Sequence, residues 1–227
     1  MKPRCFALCL IWLLLFLPAF TFSQTDSVFK LILPKEKKDY RSSPATKLDR
    51  FWKYHKGDNT QWAAPDFNDK DWKNYDTKLE VDTLPAGTFE GIGWFRIHLE
   101  VDTALVNTTL GFMILQFGAT EIYLDGKLIH AFGKIDSKDP KKEERYNPLY
   151  LPVDIRFENS RRHILAIRYS DTKAAEDVKA GRRTTAGFEA KIGKLRENVI
   201  WHYINSSITS FCSTESTYFA LPFDRRI

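Results

Sequence analysis

Residues Gly91 to Val101 read GIGWFRIHLEV, and the alternation in this stretch decides the fold class. Phe95, Ile97, Leu99 and Val101 fall on one side and Trp94, Arg96, His98 and Glu100 on the other, the period of two of a half-buried strand. The apolar side is core. The other side sets an indole, a guanidinium and an imidazole in a row, which a purely solvated face does not call for, so the row is a candidate recognition surface.

The stretches beyond it extend the same reading. Thr109 to Phe117, TLGFMILQF, is apolar on both faces and reads as a central strand buried on both sides. Glu121 to Leu124 and Lys127 to His130 alternate around Asp125-Gly126, the signal of a two-residue type I′ hairpin in which both central residues take positive φ. A regular register pairs Leu124 with Lys127, Tyr123 with Leu128, Ile122 with Ile129 and Glu121 with His130. Glu121, Tyr123 and His130 then share the face away from the core. Leu149 to Phe157, His163 to Tyr169 and Gly187 to Leu195 read as further strands. Seven or so strands with no strand–helix alternation predict an all-β chain folded as a β-sandwich.

Upstream, Val28 to Leu33 is a short strand or docked arm, Pro34 to Thr46 a charged linker, and Phe51 to His55 another alternating run. Trp62 to Trp72, WAAPDFNDKDW, reads as a loop whose two indoles pin it to the sandwich. Gly133 to Asn147 is a long charged loop, of a kind that is often functional, and Asp171 to Thr185 is polar. Arg196 to Phe211 carries Val199, Ile200, Tyr203, Ile204 and Ile208 at helical spacing and predicts an amphipathic helix.

The N-terminus has the layout of a secretory signal peptide: Lys2 and Arg4, an apolar run to Phe22, and small residues before a cut after Ser23. The expected organisation is a signal peptide over 1–23, an N-terminal arm and linker over 24–50, one domain over 51–195, and a helix with an irregular tail over 196–227. The mature chain is expected outside the cytoplasm, periplasmic or secreted. Cys5 and Cys9 lie in the signal, which leaves Cys212 and no intrachain disulfide. The formal charge of +5 falls by two when Lys2 and Arg4 leave, and Lys138 to Arg145 mixes both signs. No basic stripe remains for nucleic acid.

Catalytic signatures are missing. The chain has no nucleophile elbow, no HExxH, no Cys/His metal spacing and no phosphate-cradling glycine loop, so the expectation is a protein that is not an enzyme and needs no cofactor. Asp66, Asn68 and Asp69 could offer oxygen ligands to calcium, although the glycine and distal Glu of an EF-hand are lacking. Binding remains. A glycan site needs aromatic faces for C–H stacking and planar polar groups for hydroxyls, converging at one place. The candidates are Trp94 and Arg96 on the strand, Tyr123 and His130 on the hairpin, and Arg145, Tyr146 and Asn147 at the end of the long loop. A structural role competes for Arg96, covering an indole and bonding a carboxylate.

Four motifs occur in a telling order: Trp62-Ala63-x-Pro65-Asp66-Phe67-x-Asp69-x-x-Trp72, Gly91-Ile92-Gly93-Trp94-Phe95-Arg96, Gly118 to Lys127, and Leu165-Ala166-Ile167-Arg168. Together they resemble the galactose-binding-type jelly roll found beside the catalytic domain of family 2 glycoside hydrolases. With Trp52 to Asp58, WKYHKGD, they resemble more closely the periplasmic sensor domain that precedes seven membrane helices in bacterial signalling receptors. The resemblance covers about Phe51 to Leu195. It implies a jelly roll without catalysis that senses a small carbohydrate or carboxylate and is partnered by membrane signalling helices in a parent receptor. Those helices are not recognisable after Phe211, where Tyr218 to Pro222 is interrupted by Asp224-Arg225-Arg226, so a truncated receptor is expected. The alternative is a secreted carbohydrate-binding module.

Overall fold

A computed structural model describes residues 27–34 and 45–204. The expected signal peptide, most of the linker and the tail past residue 204 lie outside the described residues.

The alternating stretch becomes β6 (Ile92–Val101), flanked by β3 (Lys53–Lys56) on one side and β11 (Arg162–Ser170) along the other. The sheet around it runs β4 (Lys73–Asn74), β3, β6, β11, β8 (Ala119–Leu124), β9 (Lys127–Phe132). The N-terminal arm, β1 (Phe29–Leu31), pairs parallel with the far end of β6 and makes this sheet seven-stranded; every other strand pairing among the described residues is antiparallel. A second sheet runs β10 (Val153–Arg156), β7 (Thr109–Gln116), β12 (Thr185–Lys194), β2 (Ala45–Lys47), with β5 (Lys78–Glu80) also on β12. β7 sits between two partners and is buried along almost its whole length, as its two apolar faces require.

The inward residues of both sheets make one core. Phe95 of β6 and Phe188 of β12 meet edge to face at 5.1 Å, and Trp52 meets Phe188 at 5.6 Å in the same geometry. Rings of opposed edge and face polarity interlock this way across a sandwich interior. The result is the all-β sandwich that the alternation predicts.

Three local features depart from the sequence expectation. The hairpin turns through Asp125 (φ 49°) and Gly126 (φ 84°), as type I′ demands. Its register, however, breaks after Tyr123↔Leu128: the next pair is Ile122↔His130, which leaves Ile129 as the extra residue of a β-bulge. Directly opposed residues share a face, so His130 joins Ile122 on the inter-sheet side and parts from Tyr123. The polar segment after Asp171 contains helix α1 (Ala174–Lys179), too short to show a helical period in sequence. The expected strand over Leu149 to Phe157 narrows to β10, because Leu149 and Tyr150 take φ of 51° and 63° and turn the chain. That turn brings the Tyr150 hydroxyl 2.7 Å from Glu189 Oε1 and its ring under Lys191 Nζ at 3.9 Å. Helix α2 occupies 195–204, the described part of the predicted C-terminal helix. No helix of the described residues is long and apolar enough to cross a membrane.

Candidate functional site

The outer face of the seven-stranded sheet, where Trp94, Arg96 and His98 line up, is roofed by the loop between β3 and β4. Asn59 starts that roof by accepting the Gln61 amide at 3.0 Å and capping the 3₁₀ turn Thr60–Ala63. Trp62, Phe67 and Trp72 descend from the loop onto Trp94, Tyr123 and Ala166, forming a second apolar cluster outside the main core. Trp62 lies 5.3 Å from Trp72 and 6.3 Å from Trp94, both at near-perpendicular angles. Trp94 is consequently 0% exposed.

Arg96 is also 0% exposed. Its Nε donates to Asp69 Oδ2 at 2.8 Å, its Nη1 donates to the carbonyls of Trp62 and Ala64, and its guanidinium lies 5.5 Å over the Phe67 ring. Lys53 Nζ reaches Asp69 Oδ1 at 2.9 Å, and His98 Nε2 lies 2.9 Å from Oδ2. One loop carboxylate thus gathers three side chains from two strands. The role that competes for Arg96 in the sequence is the one its contacts describe, with Phe67 rather than Trp94 as the stacking partner. The calcium expectation meets the same contacts: the Asp69 oxygens are engaged by nitrogen donors, and Asn68 Oδ1 accepts the Lys70 amide at 3.2 Å. Among the described residues no group of three or more His, Cys, Asp or Glu is placed to hold a metal.

A second polar knot closes the same face. Arg168 binds Asp58 through two bonds of 2.7 and 2.6 Å and Glu121 Oε1 through a third of 2.9 Å. Tyr123 donates to Glu121 Oε2 at 2.6 Å, and Trp94 Nε1 to Asp58 Oδ1 at 3.3 Å. Burial pushes the Asp58 carboxyl up, but the hydrogen bonds and charge of Arg168 outweigh it and hold the group below the usual carboxylate range. Burial, followed by the bond to Glu121, pushes the Tyr123 phenol up and keeps it protonated. Its hydroxyl is committed to the fold.

The long loop is tied at its end. Arg145 Nη2 donates to Asp171 Oδ1 at 2.6 Å and Asp177 Oδ2 at 2.9 Å, while Arg183 holds both Asp171 oxygens. Glu143 accepts from the Ser170 hydroxyl and, at 3.1 Å, from the Thr172 amide. Asn147 Oδ1 accepts the amides of Gln116 and Leu149 and shapes a turn. Tyr146, 51% exposed, stacks on Phe132 at 6.1 Å, and His130 packs on the other hand at 4.4 Å from the same ring. Burial lowers the His130 pKa, with Asp154 pulling the opposite way.

The seven candidates therefore do not converge on one place. Trp94, Arg96 and Tyr123 lie under the roof, His130 and Tyr146 flank Phe132, Arg145 sits in the carboxylate knot, and Asn147 makes a turn. A different site is open. At the free edge where β3 meets β4, a groove of about 460 Å³ runs between Trp72 and the turn Pro85 to Thr88. Its residues come from three separate segments, so no spacing could reveal it. The one sequence signal is a tryptophan between two charges in Asp71-Trp72-Lys73.

Comparison with known proteins adds a likeness of one class. No protein-family model matches the chain. Over an alignment of 86 residues it is 33% identical to the Beta-galactosidase BoGH2A of Bacteroides ovatus, a match that takes in 33% of this chain and 9% of that enzyme. Among solved structures, beta-glucuronidase 2 of Bacteroides uniformis aligns over 66% of this chain and 18% of its own, at 14% identity and a TM-score of 0.46. A glycosyl hydrolase family 2 member from Bacteroides cellulosilyticus aligns over 66% of this chain and 21% of its own, at 16% identity and a TM-score of 0.44. A Bifidobacterium dentium beta-glucuronidase aligns over 74% of this chain and 32% of its own, at 13% identity and a TM-score of 0.43. The chain is similar, weakly in sequence and in structure, to family 2 glycoside hydrolases, and it spans less than a tenth of the curated relative it matches.

Proposed function

We propose that residues 51–195 form a non-catalytic, carbohydrate-binding domain of the kind that accompanies a glycoside hydrolase. The observation that carries the reading is the stretch 33% identical to a beta-galactosidase, of which it covers only 9%. The disposition of the acids supports the non-catalytic part. Glycoside hydrolysis needs a carboxylic acid kept protonated across a cleft from a second carboxylate. Here the displaced carboxyls of Asp58, Asp69, Asp125, Asp136, Asp177 and Glu189 are all held low: where burial pushes them up, hydrogen bonds and charge from arginine, lysine, histidine, tyrosine or backbone amides outweigh it. Such groups are poor proton donors near neutral pH.

The test pairs a glycan array with a panel of p-nitrophenyl glycosides, both run on the full chain. Saturable glycan binding without turnover is expected. Turnover that disappears with a single carboxylate substitution would overturn the reading.

The ordered set of four motifs favours a second placement, in which this domain is the extracytoplasmic sensor of a membrane signalling receptor. Its ligand would then be a small carbohydrate or carboxylate. Sequencing the DNA that follows the reading frame tests it: encoded membrane helices are expected, and an unrelated gene would remove the placement.

A further inference from the structure

The groove at the β3–β4 edge combines ring surfaces with polar groups that the fold leaves uncommitted. Its walls are tied to one another. Tyr54 and Trp72 are both buried, and Tyr54 donates its hydroxyl to the Thr88 carbonyl at 3.0 Å, which ties the Pro85 to Thr88 turn to the sheet. Tyr75 meets Tyr54 at 5.6 Å, edge to face, and its amide donates to the Trp52 carbonyl at 3.0 Å. The exposed His55 ring lies 5.2 Å from Trp72 and 4.6 Å from Trp62. His55 Nδ1 sits 2.7 Å from the Lys56 carbonyl oxygen and so carries the proton there, which leaves Nε2 as an acceptor in the neutral ring.

The contrast with the rest of this sheet lies in Asp71 and Lys73. On the roofed face Lys53 and Arg96 hold Asp69, and Arg168 holds Asp58. Asp71 and Lys73 flank the buried Trp72, are exposed, and make no ion pair or side-chain hydrogen bond among the described residues. The remaining charge on the rim, Lys56, is balanced by Glu90 at 3.4 Å.

We propose that this groove is a saccharide subsite for a short neutral oligosaccharide, with the half-buried Tyr75 and the exposed His55 as its ring surfaces and Asp71, Lys73 and His55 Nε2 as its hydroxyl partners. The size fits: about 460 Å³ falls inside the range of small-ligand pockets, roughly 300–1,000 Å³. The charge fits as well. One exposed carboxylate beside one exposed ammonium accepts from and donates to hydroxyls, and the two together carry no net charge that would favour an ionic ligand. The assignment rests on the carbohydrate-binding reading and adds to it the place and the class of sugar.

Isothermal titration of the full chain with lactose, a β-1,4-linked galactotetraose, a β-1,4-linked glucotetraose and a glucuronic-acid-terminated disaccharide tests it, together with the double variant Asp71→Asn, Lys73→Met. The wild type is expected to bind at least one neutral probe, and the double variant to bind it about tenfold or more weakly, the loss of hydrogen bonds to charged groups. Its melting temperature should stay unchanged. Full binding by the double variant would overturn the site while leaving the carbohydrate-binding reading intact. Preference for the uronic acid would overturn the neutral class. Failure of the wild type to bind any glycan, here and on the array, would overturn the carbohydrate-binding reading and the site with it.

Discussion

The Asp69 carboxylate and the Arg96 guanidinium face each other at 2.8 Å, 2% and 0% exposed, and they join a loop to the middle of a strand that lies 27 residues further along the chain. Lys53 and His98 complete the contact from either side. Asp69 is the point at which the roof is fastened to the outer face of the sheet.

Removing one member of such a pair leaves the others buried and unbalanced. Asp69→Ala is expected to destabilise the domain by about 3–5 kcal/mol, with Arg96 and Lys53 stranded as uncompensated charges. Urea unfolding measures it, and a loss below about 1 kcal/mol, the worth of an exposed pair, would show that the roof is not held this way.

The same carboxylate contributes to the acid limit. Burial pushes Asp69 up, but hydrogen bonds from His98, Arg96 and Lys53 outweigh it and hold the carboxyl far below its ordinary value of 3.8. A carboxyl depressed on folding contributes stability above its unfolded pKa and loses it as pH falls toward the folded one. The urea midpoint should therefore hold steady down to about pH 5 and drop below about pH 4. Asp69→Asn should flatten that drop; an equally steep fall in the variant would place the acid sensitivity elsewhere.

His163 works at the opposite end of the scale. Its Nδ1 lies 2.6 Å from Asp125 Oδ2 and its Nε2 2.9 Å from the Ser160 carbonyl, so only the imidazolium, with two N–H donors, satisfies both. Burial lowers the pKa, yet Asp125 and Ser160 prevail and raise it above 6.5. A raised pKa adds stability below the unfolded value, and that stability is lost as pH rises through the folded one. The gap in melting temperature between wild type and His163→Gln should thus be wider at acid pH, down to where the carboxylates titrate, than at alkaline pH. An imidazole resonance titrating below 6.5 would refute the pairing.

Two glycines with positive φ should respond very differently to alanine. At Gly118 (φ +85°) a Cβ would sit 2.0 Å from the Ser170 carbonyl oxygen, so backbone must move. At Gly181 (φ +67°) nothing lies within 4 Å. Gly181→Ala should cost about 1–2 kcal/mol, the left-handed penalty alone, and Gly118→Ala well beyond that, read by urea unfolding of each. Equal losses would mean that the β7–β8 turn is not pressed against Ser170.

The strand pattern was legible because alternation is a local property. β6, β7, β11, β12 and the Asp-Gly hairpin all follow from residues adjacent in the chain. The bulge was not, because the extra residue, Ile129, has the same character as a regular one. Its consequence falls on His130, which changes face and packs on Phe132. α1 leaves no signal in the sequence because it is six residues long and has no apolar stripe. The site residues were the least legible, since a Trp and Arg on an outer face read alike whether solvent or a loop covers them.

By itself the sequence determined that β6 has one core face and that the chain makes a sandwich of alternating strands, since side-chain direction in a strand follows from sequence position alone. It also marked Trp62 and Trp72 as anchors of the loop between them. Only the tertiary structure decided that this loop folds back over Trp94 and Arg96 and takes them out of reach of a ligand, because the partners of Arg96 lie 27 to 34 residues away and no local pattern encodes their meeting. Which face is covered, and which side chains are left exposed at the edge of the roof, is set by where the chain returns in space.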